Sequence, residues 1–202
     1  MNKIITIARE YGSGGRETGI KLAEKLGLKF YDKEIISLAA QAGGLDSDFV
    51  AKHEEKAPAF MSAGFTDPSF ASFAYQPSYS DTIYFKQCEI LRQIADQGPC
   101  VIVGRCADYI LRDYNITKVF IYSDLESKIN RKAGLVPADF GMSREQLEKD
   151  IIKINKGRKK YYEHYSGNRW GDMSNFDLCV STSEIGVDGA VETILAYLNQ
   201  TK

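Results

Sequence analysis

Apolar and polar residues follow one another in blocks that predict strands separated by helices. The predicted strands are short apolar runs at residues 4–8, 28–31, 100–103, 118–122 and 177–181. The predicted helices carry apolar residues on one face, and they lie near residues 17–26, 33–39, 46–56, 81–96, 107–111, 124–132, 143–160 and 187–198. Because strands and helices alternate along the whole chain, the pattern predicts a three-layer α/β fold. We expect a parallel sheet of about five strands with helices on both faces.

The segment between the first strand and the first helix has the order typical of a phosphate-binding loop. It reads Gly12-Ser13-Gly14-Gly15, with an apolar strand before it and a helix after it. Glycines let successive backbone N–H groups turn inward, and the start of a helix adds partial positive charge. Arg16 follows at once and brings a cation within reach of phosphate oxygens. The sequence therefore predicts a phosphate cradle, and the alternative is a flexible turn that binds no ligand.

This loop departs from the Walker A pattern, which is Gly, four residues and then Gly-Lys-Ser/Thr. When Gly15 and Arg16 take the places of the Gly-Lys pair, Glu10 stands at the first glycine and Glu17 at the hydroxyl position. Thr18, a hydroxyl residue, follows one position later. Arginine is a permanently charged fork rather than a point charge, so we expect it to hold phosphate with a different geometry.

Other charged residues stand where a parallel sheet would bring them into one crevice. Arg105 follows a continuous apolar run, and open α/β sheets bind ligands beyond the carboxyl ends of their strands. We therefore favour phosphate binding by Arg105 over a surface salt bridge. Arg131 and Arg158 lie in predicted helices, the second of them unusually basic, and are candidates for a lid over phosphates. Asp32 follows the second strand and either caps the next helix or lines a substrate pocket.

Residues 57–80 differ in composition from the rest of the chain. They include three prolines and six aromatic residues but a single charged residue, Asp67. Aromatic side chains of this kind favour burial, so the segment is not a solvated linker. It could form an insertion that closes over a substrate, a contact in a homodimer or an irregular flap on the core, and we expect a flap or an interface ahead of a platform for stacked bases.

Composition narrows the possible partners. The net charge is −1, so no overall basic field attracts nucleic acid, although the basic helix at 149–160 leaves an RNA-binding module as an alternative. Four cysteines without a CxxC pair and only two histidines make a structural metal site improbable and favour reduced thiols. No stretch is long and apolar enough for a signal peptide or a membrane span. We expect a cytoplasmic protein.

The order of these segments resembles the cytidylate kinase-like family. The resemblance extends over nearly the whole chain and rests on the sequences AREYGSGGRETG, VGR at 103–105, and YY…GNRW…FDL between 161 and 178. It implies the fold of a P-loop nucleoside-monophosphate kinase in one domain over residues 1–202. The implied parts are a core (1–42, 81–132 and 171–202), a monophosphate-binding insertion (about 43–80) and a lid region (about 133–170).

The resemblance also implies roles for individual residues in the transfer of a phosphoryl group from ATP, with Mg²⁺, to an acceptor such as CMP or dCMP. Asp32 and Arg105 would contact the acceptor, and Thr18 is the candidate Mg²⁺ ligand. The cations of the transfer would be Arg16, Arg105, Arg131 and Arg158. The residues that would hold the phosphates of ATP are Gly12, Ser13, Gly14, Gly15, Arg16, Glu17 and Thr18.

Some residues depart from the pattern of cytidylate kinases. Arg16 replaces the loop lysine, and Asn155 stands where a lid aspartate is expected. Val103 and Cys106 flank the Gly-Arg step where those enzymes have acidic residues. We expect a kinase, and these departures are the feature that supports the alternative, a nucleotide-binding or sensor protein that has kept the cradle without the transfer.

Overall fold

A computed structural model of the protein describes residues 3–32, 79–135 and 142–201. Within these residues, five strands form one sheet in which every neighbouring pair is parallel, in the spatial order β2-β3-β1-β4-β5. The strands are β1 (Ile4–Arg9), β2 (Lys29–Tyr31), β3 (Cys100–Val103), β4 (Ile116–Tyr122) and β5 (Leu178–Ser181). The predicted parallel sheet of about five strands is confirmed.

Helices connect these strands. In the described part of the chain they are α1 (Gly15–Leu26), α2 (Tyr79–Asp96), α3 (Ala107–Ile110), α4 (Leu125–Leu135), α5 (Arg144–Ser166) and α6 (Gly186–Gln200), with a 3₁₀ turn at Met173–Asn175. Helix α5 begins where the sequence predicts, because the Ser143 side chain caps it by accepting a hydrogen bond from the backbone N–H of Gln146. It continues as one helix to Ser166. None of the helices among these residues combines the length and apolar character needed to cross a membrane.

The sheet is buried on both faces because successive residues of a strand point to opposite sides. Val101 and Val103 of β3 belong to a cluster that includes residues of α1 and α6, whereas Cys100 and Ile102 belong to a second cluster with residues of α2, α3 and α5. This double burial explains why β3 reads as a continuous apolar run. It also confirms the expected helix layers on the two sides of the sheet.

Part of the predicted organisation lies outside the described residues. This applies to the helices expected at 33–39 and 46–56 and to the aromatic segment 57–80, apart from its last two residues, which begin α2. The division of the chain into a core, an insertion and a lid therefore stays a prediction, as does a homodimer contact through the aromatic segment.

A buried hydrogen bond joins α3 to α5. The Tyr162 hydroxyl donates to Asp108 Oδ2 at 2.7 Å, and both residues are buried. Burial raises the pKa of Asp108 above its ordinary value because desolvation penalises the carboxylate, although the hydrogen bond from Tyr162 opposes this shift. The folded state thus favours neutral Asp108 more than the unfolded chain does. This group reduces stability once the pH rises above its unfolded-state pKa, and it has no such effect below that value.

We expect Asp108→Asn to increase the free energy of unfolding near neutral pH, because the amide oxygen still accepts from Tyr162 and no charge is buried. The gain should shrink as the pH falls towards about 4, where the carboxyl is neutral in the unfolded wild-type chain as well as in the folded protein. Urea denaturation over a range of pH measures this, with exposed Asp113→Asn as the control. A loss of stability in Asp108→Asn at every pH would contradict the prediction.

Candidate active site

The glycine-rich loop between β1 and α1 is bent by glycines in the left-handed region. Gly12 and Gly14 have φ angles of 88° and 80°. A Cβ atom on Gly12 would lie 2.9 Å from the Cβ of Lys128, so this position has no room for a side chain. Helix α1 begins at Gly15 with Gly14 as its N-cap. The unpaired N–H groups of the first helical turn therefore open at the loop.

The loop is fastened to the sheet by hydrogen bonds of buried hydroxyl groups. The Ser13 hydroxyl donates to the carbonyl oxygens of Glu10 (2.9 Å) and Ile121 (3.2 Å). The Thr182 hydroxyl donates to the carbonyl oxygen of Ser13 at 2.7 Å. Because the Ser13 side chain is used in this way, it is the backbone of the loop that is available to phosphate.

A second set of contacts holds the loop against α4. Lys128 Nζ lies 2.6 Å from Glu10 Oε2, and the backbone N–H of Ser123 donates to the same oxygen at 3.2 Å. Lys128 is buried, so breaking this pair would leave an uncompensated charge away from water. Glu10, which stands at the first glycine of the Walker A pattern, therefore has a structural partner on α4.

Glu17, at the hydroxyl position of the Walker A pattern, and Thr18, one residue later, point in different directions. Thr18 is fully buried, and its hydroxyl donates to the carbonyl oxygen of Gly14 at 3.1 Å. Glu17 lies on the wall of a cavity, and its carboxylate pairs with Arg131 Nη1 at 3.4 Å and with Lys21 Nζ at 3.6 Å. In this conformation the side chain that faces the cavity is that of Glu17.

A cavity of about 570 Å³ begins at the glycine loop and brings the four predicted arginines together. Its wall carries an excess of positive charge, since six cationic side chains meet three carboxylates there. The cations are Arg9, Arg16, Arg105, Arg131, Lys132 and Arg158, and the carboxylates are Glu10, Glu17 and Asp32. Such a cavity favours anionic ligands.

Asp32 lies on this wall between two arginines. Arg16 Nε donates to Asp32 Oδ2 at 2.7 Å, and Arg9 Nη2 lies 3.6 Å from Asp32 Oδ1. Asp32 is 3% exposed. Asp32 thus lies inside the crevice, where the second of the two predicted alternatives places it. The helix that it would cap in the first alternative lies outside the described residues.

Arg105 enters the cavity wall from a tight turn at the end of β3. Gly104, Arg105 and Cys106 have φ angles of 82°, 60° and 52°, so three successive residues are left-handed. This conformation costs roughly 1–3 kcal/mol at a residue other than glycine and persists only where the surroundings enforce it. Arg105 is 5% exposed. Strain of this kind is typical of functional positions, where it aims a particular side chain.

Helix α5 reaches across to the loop at two points. The Asn155 side-chain oxygen accepts from the backbone N–H of Tyr11 at 2.6 Å, and Arg158 Nη1 donates to the carbonyl oxygen of Arg9 at 3.3 Å. The Tyr11 ring lies 4.0 Å from Lys132 Nζ and 5.6 Å from Arg158 Cζ, both within the range of cation–π attraction. The part of the predicted lid that carries Arg158 therefore contacts the loop directly.

Sequence reasoning missed Arg9, Tyr11 and Lys132. Arg9 is the last residue of β1 and stands at the carboxyl edge where Arg105 was sought, so the rule applied to Arg105 would have found it. Tyr11 and Lys132 carry no comparable signal, because their contact joins the loop to a distant helix.

A smaller cavity of about 30 Å³ adjoins the first and has room for one water molecule. Arg9, Arg105 and Arg158 line both cavities, and Trp170 and Asp108 line the smaller one. Trp170 packs edge-on against Phe120, with ring centres 5.6 Å apart.

The described residues contain no group of three or more His, Cys, Asp or Glu side chains that could hold a metal ion. Asp108, bonded to Tyr162, lies apart from the larger cavity.

The sequence profile of the cytidylate kinase-like family matches residues 4–184 of this chain. The protein belongs to the cytidylate kinase-like family. It is 26% identical over 197 residues to the cytidylate kinase of Saccharolobus islandicus. This alignment covers 97% of this chain and 90% of that protein. It is 25% identical over 202 residues to the cytidylate kinase of Archaeoglobus fulgidus, and this alignment covers 98% of this chain and 96% of that protein. The resemblance noted in the sequence is confirmed.

Solved structures share the fold. An uncharacterised protein from Eubacterium ventriosum superposes with a TM-score of 0.69 at 28% identity over 98% of both chains. Shikimate kinase from Bacteroides thetaiotaomicron gives a TM-score of 0.59 at 12% identity, with 98% of this chain and 99% of that chain covered. The predicted P-loop kinase fold is confirmed, and the names of the relatives support a kinase class for this family member.

We expect Gly104→Ala to destabilise the protein more than the left-handed backbone alone requires. A Cβ on Gly104 would lie 2.8 Å from Arg9 Cζ, so the guanidinium group must move away from Asp32. Gly27→Ala is the matched control, because Gly27 also has positive φ but its Cβ would meet nothing within 4 Å. The control should lose about 1–2 kcal/mol in urea denaturation, and Gly104→Ala should lose more. Equal losses of unfolding free energy in the two variants would show that the Arg9 side chain moves aside with no effect on stability.

Proposed function

We propose that the protein transfers the γ-phosphoryl group of ATP to a nucleoside monophosphate, with CMP and dCMP as the first candidates. This proposal rests on one observation: a single cavity begins at a glycine loop and is lined by Arg16, Arg105, Arg131 and Arg158. Phosphoryl transfer requires positioning and cations for the charge on the transferred group, rather than a covalent partner from the protein. The relatives named cytidylate kinase support the choice of acceptor.

The loop suits the phosphates of ATP. Backbone N–H groups at the start of α1 and the guanidinium group of Arg16 supply donors and positive charge at one place. Arg131 lies beside the loop, since a Cβ on Gly14 would come within 3.0 Å of Arg131 Cζ. We assign these groups to the donor nucleotide and Arg105, with Asp32, to the acceptor.

The wall of the cavity also suits a magnesium ion carried by the nucleotide. Mg²⁺ keeps several water ligands and takes one or two carboxylates together with substrate phosphates, so a closed protein cage is not needed. Glu10 and Glu17 offer carboxylates at the loop. Thr18 is fully buried and is not among the residues that line the cavity, so its hydroxyl would have to turn towards the cavity to serve as a ligand. When bound, Mg²⁺ neutralises part of the phosphate charge.

A nucleotide sensor without transfer activity is the second candidate. In its favour, Arg16 is held by Asp32 and Arg131 by Glu17, so two of the four arginines are bound to carboxylates of the site itself. A protein of this kind binds ATP without passing its phosphoryl group to an acceptor.

The deciding experiment combines turnover with direct binding. The purified protein is given Mg-ATP and, in turn, CMP, dCMP, UMP, AMP and GMP, and calorimetry measures the binding of each nucleotide. The proposal expects turnover with CMP or dCMP. Binding of ATP with no turnover on any monophosphate would favour the sensor, and the absence of all binding would contradict the phosphate cradle.

We expect Arg16→Ala to lower the rate of transfer by at least ~10³-fold, because one cation at the transferred group is lost. Its side chain is half exposed, so the fold should stay intact, as circular dichroism would show. Lys25→Ala removes a cation from the other end of the same helix and should leave the rate unchanged. Wild-type turnover in a folded Arg16→Ala variant would refute the assignment of the loop.

A further inference from the structure

A negative charge faces the cavity at the start of α1, where the glycine loop is suited to phosphate. It belongs to Glu17, which stands at the hydroxyl position of the Walker A pattern and lines the large cavity. Thr18, the hydroxyl residue beside it, is fully buried and donates to the carbonyl oxygen of Gly14 at 3.1 Å. The side chain that this position offers to a bound nucleotide is therefore a carboxylate and not a hydroxyl group.

We propose that Glu17 exchanges one cation for another: its carboxylate pairs with Arg131 before a nucleotide binds, and it binds the divalent metal of the nucleotide afterwards. The inference rests on the proposed binding of ATP at the loop and adds a metal ligand to it. It does not depend on which acceptor is used or on whether transfer follows. The alternative is that Glu17 only favours the start of α1 and neutralises Arg131.

The first argument is that Glu17 is held loosely. Its carboxylate lies 3.4 Å from Arg131 Nη1 and 3.6 Å from Lys21 Nζ, and both distances exceed those of ordinary charge-assisted hydrogen bonds. Lys21 has a closer partner in Asp188, whose Oδ1 lies 2.8 Å from Lys21 Nζ. The Glu17 side chain is 49% exposed, and ion pairs between exposed groups contribute little to stability. The carboxylate can therefore leave these cations with little loss of stability.

Glu10, the other carboxylate beside the loop on the cavity wall, provides the contrast. Lys128 Nζ lies 2.6 Å from Glu10 Oε2, and the backbone N–H of Ser123 donates to the same oxygen. Lys128 is buried, so separating the two side chains would leave an unpaired charge away from water. Glu10 is thus fixed as a part of the fold, and Glu17 is the carboxylate of the loop that is able to change partners.

The second argument is repulsion. The N–H groups at the start of α1 and the guanidinium group of Arg16 attract phosphate to the place where Glu17 faces the cavity. Two negative groups at one place repel one another unless a cation lies between them. Mg²⁺ meets this condition, because it takes one or two carboxylates together with the phosphate oxygens of a nucleotide. Glu17 should therefore oppose the binding of metal-free ATP and favour the binding of Mg-ATP.

The third argument is that the exchange keeps every charge paired. Arg131 Cζ lies 3.0 Å from the position that a Cβ on Gly14 would take, so the guanidinium group is beside the loop. When Arg131 turns to the phosphates, the Glu17 carboxylate loses one cation and gains another from the metal. Neither residue is then left without a counter-charge.

The test measures how strongly Mg²⁺ changes the affinity for ATP. Calorimetry gives the Kd of ATP with Mg²⁺ and with EDTA, and in the wild-type protein Mg²⁺ should tighten binding. In Glu17→Gln, metal-free ATP should bind up to about 5-fold more tightly, because Arg131 no longer has to leave an exposed ion pair. The gain in affinity that Mg²⁺ brings should fall by at least about 10-fold, since a contact to the metal is lost.

Mn²⁺ provides a readout that is independent of turnover. It takes the same oxygen ligands as Mg²⁺, and electron paramagnetic resonance measures the free ion. The wild-type complex with ATP should bind Mn²⁺ at least about 10-fold more tightly than the Glu17→Gln complex does. Glu17→Asp should keep part of this difference, because a carboxylate remains. Glu24→Gln, which changes an exposed glutamate farther along the same helix, should behave as the wild type.

Several results would overturn the inference. Equal changes in the affinities for ATP and Mg-ATP in Glu17→Gln would show that Glu17 acts on Arg131 alone. Loss of the Mg²⁺ effect in Thr18→Val, with the effect kept in Glu17→Gln, would assign the metal to the hydroxyl group. A wild-type protein that binds ATP equally well with and without Mg²⁺ would exclude the exchange. Circular dichroism shows that each variant is folded, which we expect for Glu17 because its side chain is half exposed.

The failure of this inference is distinguishable from the failure of the proposed function. If the wild-type protein binds Mg-ATP through Glu17 but phosphorylates none of the monophosphates, the sensor is favoured and the role of Glu17 stands. If it phosphorylates a monophosphate and Glu17→Gln keeps the full Mg²⁺ effect, the transfer stands and only the role of Glu17 is refuted. If it binds no ATP, both are refuted.

Discussion

In a parallel sheet the carboxyl ends of all strands lie at the same edge, and the whole candidate site depends on that constraint. Arg9 and Arg105 are separated by almost half of the chain, yet the pairing of β1 with β3 sets them on neighbouring strands. The pairing of β2 with β3 adds Asp32 to the same group. Burial of apolar side chains on both faces keeps the strands in this register. The stability of the fold and the position of the charges thus have one origin.

The excess positive charge on the cavity wall causes electrostatic repulsion, and carboxylates of the protein reduce it. Asp32 lies between Arg9 and Arg16, and Glu17 pairs with Arg131, so three of the six cationic side chains on the cavity wall have a carboxylate beside them. Groups held in this way are oriented before any ligand arrives, which is the condition for electrostatic stabilisation of a transition state. Under the proposed function, an entering phosphate would compete with these carboxylates, and its affinity would reflect the balance between the two interactions.

The sequence predicts the strands, the glycine loop and the four arginines of the cavity, because apolar runs and chain order determine which residues follow a strand. It places the start of α1 two residues late, since glycine is a poor helix former and the left-handed N-cap at Gly14 leaves no periodic signal. It does not reveal that Thr18 turns back to Gly14 or that Asp32 pairs with Arg16. These hydrogen bonds depend on side-chain directions and on tertiary contacts between segments that are distant in sequence. Hydrophobic periodicity does not encode either of them.

The chain has a single tryptophan, Trp170, and it lines the smaller cavity with Arg9, Arg105 and Arg158. Indole emission is sensitive to nearby charge and hydration, and here it originates from one place only. Its edge-on contact with Phe120 packs the ring against β4. The protein thus contains an optical reporter of its candidate site that needs no label and no substitution.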